Sequence, residues 1–164
     1  VHPLIEKYGV EPVRYYLLRE IPTVEDGDIS VDRVGEMYSS ALANELGNLV
    51  SRLAKLCEGT VISLQAIKKF SPVVAQAINR FMLKEALDDI WARISVLNKR
   101  ISDERVWEKT GSDRSTTLNE LVAEVLTVGY DLQPFLPKTA KRILAVFTAK
   151  TITQPTPLFP RLSV

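Results

Sequence analysis

Ala43-Asn44-Glu45-Leu46-Gly47-Asn48-Leu49-Val50-Ser51-Arg52 is the stretch on which the reading of this chain turns. It lies inside a longer run, residues 30–57, that reads as one helix. Val34, Tyr38, Leu42, Leu49, Leu53 and Leu56 fall within one arc at steps of three, four and seven, the repeat of an amphipathic helix. At about 100° per residue, Asn44, Asn48 and Arg52 form a second line at i, i+4 and i+8, on the flank of that arc. Ser39, Ser40, Ala43, Gly47, Ser51 and Ala54 occupy the far side and are small enough to let another helix approach closely. Such a helix is expected to be packed from both sides. Polar groups pinned on its flank can read a ligand.

Working outward, residues 1–28 read as a short helical N-terminal segment followed by an irregular loop. Pro12 suits a first helical position, with Val13, Tyr16 and Leu17 as a modest apolar face. Pro22 and Glu25-Asp26-Gly27-Asp28 break that helix. Ser30 can cap the next one, with Arg33 where a capping box would place Glu, and Asp32 suits the helix dipole.

Beyond Glu58-Gly59-Thr60 a connecting segment runs to Ser71. Ser71-Pro72 reads as an N-cap and a first-turn proline opening one long helix. Within it Leu83, Leu87, Ile90, Ile94, Leu97 and Ile101 alternate steps of four and three, a seam for a neighbouring helix. Asp103-Glu104-Arg105-Val106-Trp107-Glu108 reads as a helix end and turn, and Thr110-Gly111-Ser112-Asp113 as a plain loop. A third helix is expected from Ser115, with Leu118, Leu121, Val125, Val128 and Leu132 inward, ending at Pro134. Pro137 opens a fourth, faced by Ala140, Ile143, Leu144 and Phe147. From Thr151 on, Pro155, Pro157 and Pro160 exclude helix, so residues 151–164 form an extended tail docked by Leu158 and Phe159. The expected fold is all-α: an antiparallel helical bundle over residues 29–164, with the N-terminal segment before it and the extended tail after.

Composition fits that expectation. The 164 residues suit one domain with a real core, and hydrophobic residues make up 46% with 7 glycines in all. With 21 basic and 20 acidic residues the formal charge is +1, so bulk electrostatics cannot draw in nucleic acid and any such binding rests on local groups. Residues 99–164 are mildly basic, with 10 basic and 7 acidic side chains, and Lys99, Arg100 and Arg105 gather before Trp107. Cys57 is alone, so no disulfide framework or thiolate metal site is expected. No apolar run is long enough to span a bilayer, and no signal peptide opens the sequence; a reducing cytoplasm is the expected compartment. Starting at Val1-His2-Pro3 without Met, the sequence reads as a fragment or a processed chain.

No catalytic constellation is visible. His2 is the only histidine and sits at the terminus, which leaves no Ser/His/Asp arrangement. There is no glycine-rich phosphate loop and no Cys/His cluster with metal spacing. Asp88 and Asp89 are adjacent, hence on different helix faces. Binding residues are better candidates. Trp107, in a charged turn between Arg105 and Lys109, is either a platform for a single-stranded base or a core tryptophan closing the bundle end. Trp91 borders the regular seam and is expected in the core. Asn48 offers a donor and an acceptor to a base edge, and Arg52 a planar fork. The alternative for that pair is an interhelical hydrogen bond, or an ion pair of Arg52 with Glu45 or Glu36. Lys99, Arg100 and Arg105 read as a solvated face.

Several stretches, taken in order, resemble the methionyl-tRNA synthetase family over nearly the whole chain. They are Lys7-Tyr8-Gly9-Val10-Glu11-Pro12-Val13-Arg14-Tyr15-Tyr16-Leu17-Leu18-Arg19-Glu20-Ile21-Pro22, Asp26-Gly27-Asp28-Ile29-Ser30 and the Ala43–Arg52 stretch. Leu97–Glu108, Leu132–Ala140 and Pro157–Leu162 complete the set. The matching part of that family is its C-terminal, helical anticodon-binding domain. The resemblance implies recognition of the CAU anticodon of initiator and elongator methionine tRNA, within an enzyme that attaches methionine to tRNA using ATP. It places anticodon contacts at Trp107, Asn48 and Arg52, with Trp107 stacking on the first anticodon base and Asn44 as a supporting residue. The family often has proline where Val106 stands. The resemblance also assigns ATP with Mg, and a zinc-binding knuckle, to a catalytic part that precedes this stretch, leaving no cofactor, metal or catalytic residue expected here. The partners are then tRNA and that catalytic domain, with no membrane. A stand-alone helical interaction module, or the anticodon domain of a sister class I synthetase, are the alternatives. Arg-Glu-Ile-Pro followed by Asp-Gly-Asp-Ile-Ser favours the methionine branch over the sister.

Overall fold

In the computed structural model, residues 2–21, 29–63 and 69–162 are described. Expectations falling on residues 22–28, and on the middle of the connection after Thr60, lie outside them. The fold is all-α, with no strand among the described residues. Two short helices, α1 (His2–Tyr8) and α2 (Val10–Glu20), lead into α3 (Val31–Met37), a π-helical segment (Tyr38–Gly47) and α4 (Asn48–Cys57). Then come α5 (Pro72–Asn79), α6 (Leu83–Asp103), a 3₁₀ turn (Val106–Glu108), α7 (Gly111–Asp131) and α8 (Pro137–Phe147). None of these helices is long and apolar enough to cross a membrane.

The seam of α6 forms as its spacing demands. Leu87, Ile90, Ile94, Leu97 and Ile101 are buried, Leu83 is half-buried, and α6 packs on α2, α4, α5, α7 and the π segment. Trp91 is buried in the core, its ring centroid 4.4 Å from that of Tyr15. Leu118, Leu121, Val125, Val128 and Leu132 are buried, as are Ala140, Ile143 and Phe147, with Leu144 half-buried. Ser30 caps α3, its hydroxyl accepting from Arg33 N–H at 3.4 Å.

Three expectations need correction. The first concerns the single helix expected from Ser71 to Ile101, which is two. Phe81 takes a left-handed backbone conformation at φ 57°, while Met82 N–H bonds Ala77 O at 2.9 Å and Phe81 N–H bonds Ile78 O at 3.0 Å. That pair of bonds is the usual helix stop with a left-handed residue, here built on phenylalanine instead of glycine. It folds α5 back on α6. Ser71 stands at the N-cap position, but its side chain makes no capping bond; its N–H donates to Asp131 Oδ1 at 2.8 Å.

Second, residues 30–57 are not one regular α-helix. Over Tyr38–Gly47 the hydrogen bonds reach one residue further back, and Asn48 N–H bonds Ala43 O. Leu46 is buried with Leu42 and Leu49, as its α-helical spacing from them already allows, and Leu56 is only half-buried. Gly47 suits the widened turn, since a Cβ there would stand 3.2 Å from Leu42 O. Third, Gly111-Ser112-Asp113 is helical: α7 begins at Gly111, not Ser115.

The small-residue side of this long element meets the tail. A Cβ on Gly47 would lie 4.0 Å from Phe159 Cδ2. Leu158 and Phe159 are buried, together with Ile152, which its spacing in the sequence does not single out. Arg142 holds the tail by donating to Thr156 O, Pro157 O and Leu158 O at 3.0–3.2 Å, and the Tyr38 hydroxyl donates to Pro160 O at 2.7 Å.

The N-terminal helices are bonded into the bundle. Arg14 donates to Pro134 O and Phe135 O, both at 2.9 Å. Val13, Tyr16 and Leu4 bury against Val34. Pro12 lies two residues inside α2 instead of at its start.

Candidate nucleic-acid interface

Trp107 is placed by how α6 ends. After Asp103 the backbone reverses at Arg105, left-handed at φ 46°, and Glu108 N–H closes the short turn onto Arg105 O at 2.7 Å. Val106 is fully buried, which turns the next side chain outward, and Trp107 is 49% exposed. Such exposure is unlike a core tryptophan. Arg114 braces the turn, donating to Leu56 O at 2.8 Å and Val106 O at 3.5 Å.

The exposed indole faces α4. Trp107, Ser51, Arg52, Lys55, Leu56 and Gln154 line one cleft of about 240 Å³. Arg52 is half-buried, and its Nη2 donates to Ser102 Oγ at 3.3 Å; no ion pair with Glu36 or Glu45 forms. A guanidinium carries five N–H donors, so among the described residues most of this one is unengaged.

Asn44 and Asn48 are exposed, and no hydrogen bond within the described residues involves their amides. They line a second cleft of about 570 Å³ with Gly47, Ser51, Phe159 and Arg161. Ser51 borders both clefts, and Gln154 Nε2 donates to its Oγ at 2.8 Å. The line of polar residues expected along one flank is therefore shared out. Arg52 joins Trp107, while Asn44 and Asn48 lie in the adjoining recess.

Charge around Trp107 is mostly neutralised. Arg100 pairs with Glu104 and Glu120, Arg105 with Glu108, and Lys109 with Glu104. Glutamate hydrogen bonds raise the Arg100 guanidinium further, and Lys109 and Arg100 hold the Glu104 carboxyl below the ordinary range. Lys99 is exposed and makes no ion pair among the described residues. Arg100, Arg105 and Lys109 form a surface network with their glutamates, not a track of free phosphate contacts.

Sequence reasoning missed Ser51 and Gln154 as wall residues. Nothing local marks them, because the cleft exists only once the tail lies along α4. Elsewhere, Asp88 is bound to Lys84 and Arg19, and Asp89 to Arg93, so neither stands as a free acid–base partner. Among the described residues no three His, Cys, Asp or Glu side chains gather where a metal ion could sit.

Comparison with known proteins agrees with this architecture. A family profile described as "tRNA synthetases class I (M)" matches residues 1–54. The methionine–tRNA ligase of Brucella melitensis biotype 1 is 32% identical over 164 residues, covering 89% of this chain and 32% of that protein. The methionine–tRNA ligase of Clostridium acetobutylicum is 34% identical over 160 residues, covering 85% and 25%. Among solved structures, apo Mycobacterium tuberculosis methionyl-tRNA synthetase aligns with a TM-score of 0.75 at 25% identity, over 99% of this chain and 41% of that one. The same enzyme in complex with methionyl-adenylate aligns with a TM-score of 0.75 at 26% identity, over 97% and 39%. Fold and sequence together make this chain similar to one part of a class I tRNA synthetase. Within that class it is similar to methionyl-tRNA synthetases, and it spans about a third of the first relative's length.

Proposed function

We propose that this chain is the anticodon-recognising part of a cytoplasmic methionine–tRNA ligase, reading the CAU anticodon of initiator and elongator methionine tRNA. Residues 1–28 are the link to the catalytic domain, which binds ATP with Mg and attaches methionine, and residues 29–164 are the RNA-reading unit. The observation that carries the reading is the half-exposed Trp107 held beside the under-used Arg52 guanidinium in one cleft. An unstacked base on an aromatic face, with its edge turned to fixed polar groups, is how single-stranded RNA is read. Trp107 is the platform for the first anticodon base and Arg52 reads its edge. Asn48 contacts a base from the adjoining cleft with Asn44 in support.

The near-neutral charge of the chain fits selection by base contacts more than by phosphates. Titration of a labelled anticodon stem-loop bearing CAU, beside one with a changed anticodon, tests the function. Tighter binding of CAU is expected. Equal affinity for both would contradict anticodon reading and favour a helical interaction module.

A further inference from the structure

We infer that Gln154 is a specificity-determining residue that admits cytosine, and turns away uracil, in the Trp107 cleft. The inference rests on the proposed anticodon role of that cleft. Gln154 belongs to the tail and is fixed at two points beside the indole. Its Nε2 donates to Ser51 Oγ at 2.8 Å. Its backbone N–H donates to Glu58 Oε1 at 3.3 Å, and Glu58 is itself held by Lys55 at 2.8 Å. Oε1 of Gln154 makes no hydrogen bond within the described residues, although the side chain lines the cleft. A positioned amide with its acceptor unused is a reading head with one vacancy.

Arg52 supplies the complementary half. Arg52 lines the same cleft, and among the described residues its guanidinium bonds only Ser102. A base lying on Trp107 therefore meets several N–H donors from Arg52 and a neutral acceptor from Gln154. The Watson–Crick edge of cytosine carries the N4 amine beside two acceptors, N3 and O2. The guanidinium donates to N3 and O2, and Oε1 accepts from the amine. Uracil opposes this set twice, setting O4 against Oε1 and its N3–H against the guanidinium. Adenine has an amine but only one adjacent acceptor on that edge, and guanine presents O6 and N1–H instead. Unpaired polar groups against the wrong base are the source of the discrimination.

The test uses this chain and labelled anticodon stem-loops with cytosine, uracil or pyrimidin-2-one at the first anticodon position. Pyrimidin-2-one is cytosine without its amine. Wild type is expected to bind the cytosine loop about tenfold more tightly than the pyrimidin-2-one loop. In Gln154→Ala that preference collapses, through weaker binding of the cytosine loop alone, while the melting temperature holds. Gln154→Glu keeps an acceptor oxygen and is expected to keep the preference, while its charge weakens all three complexes. A Gln154→Ala variant that still prefers cytosine, or that weakens all three loops equally, overturns the role of Gln154. A wild-type chain indifferent to the whole anticodon contradicts the anticodon reading itself, and that result is seen before any variant is made.

Discussion

Glu11 and Thr139 stand 128 positions apart and are joined twice, the Glu11 carboxylate accepting from Thr139 N–H at 3.0 Å and from its hydroxyl at 2.6 Å. Glu11 also accepts from Lys138 N–H at 2.6 Å. Helix α8 has Leu136 at its N-cap position, which cannot cap, so a carboxylate from α2 does the work of a cap from outside. Its charge also suits the positive end of the helix.

Glu11→Ala is therefore expected to lower the unfolding free energy by about 1–2 kcal/mol, the usual loss for a cap. Urea denaturation measures it. RNA affinity should hold, because neither cleft involves α2. An unchanged midpoint would mean that solvent satisfies the start of α8 equally well.

Asp131 is fully buried and paired with Arg93 at 2.6 Å, while also accepting from Ser71 N–H. Arg93→Ala leaves that carboxylate without its countercharge. Breaking one side of a buried pair typically costs about 3–5 kcal/mol, and a loss on that scale is expected in chemical denaturation. A change below about 1 kcal/mol, the value of an exposed pair, would mean that Asp131 finds another partner.

Strong periodicity made most of this fold legible. The steps of the α6 seam and the pairing of Pro137 with an apolar face survive intact, because each is a local pattern read by one packing surface. The π segment was not legible: one shifted hydrogen bond leaves no mark in composition, and Gly47 is compatible with either geometry. Phe81 hid the break between α5 and α6, since a left-handed helix stop is ordinarily announced by glycine. Gly111-Ser112-Asp113 has loop composition, yet these residues supply the first turn of α7. In the candidate site, helical spacing put Asn44, Asn48 and Arg52 along one flank and left Trp107 in a charged turn without an apolar stripe, while their choice as anticodon contacts came from the family resemblance. Gln154 needed the path of the tail across α4, a contact between residues 103 positions apart.

Cys57 is buried at the end of α4, and burial pushes its thiol from an ordinary 9.0 up to about 12. Between those values the unfolded chain sheds a proton that the folded chain keeps. Stability is thus fully present below pH 9 and falls as pH rises toward 12, by at most about 1.4 kcal/mol per pH unit from this group. Comparing denaturation midpoints of wild type and Cys57→Ala across that window isolates the effect. The variant should show the shallower alkaline decline, and native wild type should resist thiol reagents near neutral pH. Matching slopes with rapid native labelling would contradict the buried thiol.

Trp107→Ala, followed in parallel by CAU stem-loop binding and by thermal unfolding, tests the anticodon role most directly. The half-exposed indole should contribute little to folding, so the melting temperature is expected to stay close to wild type. RNA affinity is expected to fall by about 1–3 kcal/mol, the value of one base stacked on an aromatic ring. A large loss of thermal stability, of the size of about 3–5 kcal/mol that removing a core tryptophan produces, with CAU affinity unchanged, would contradict it.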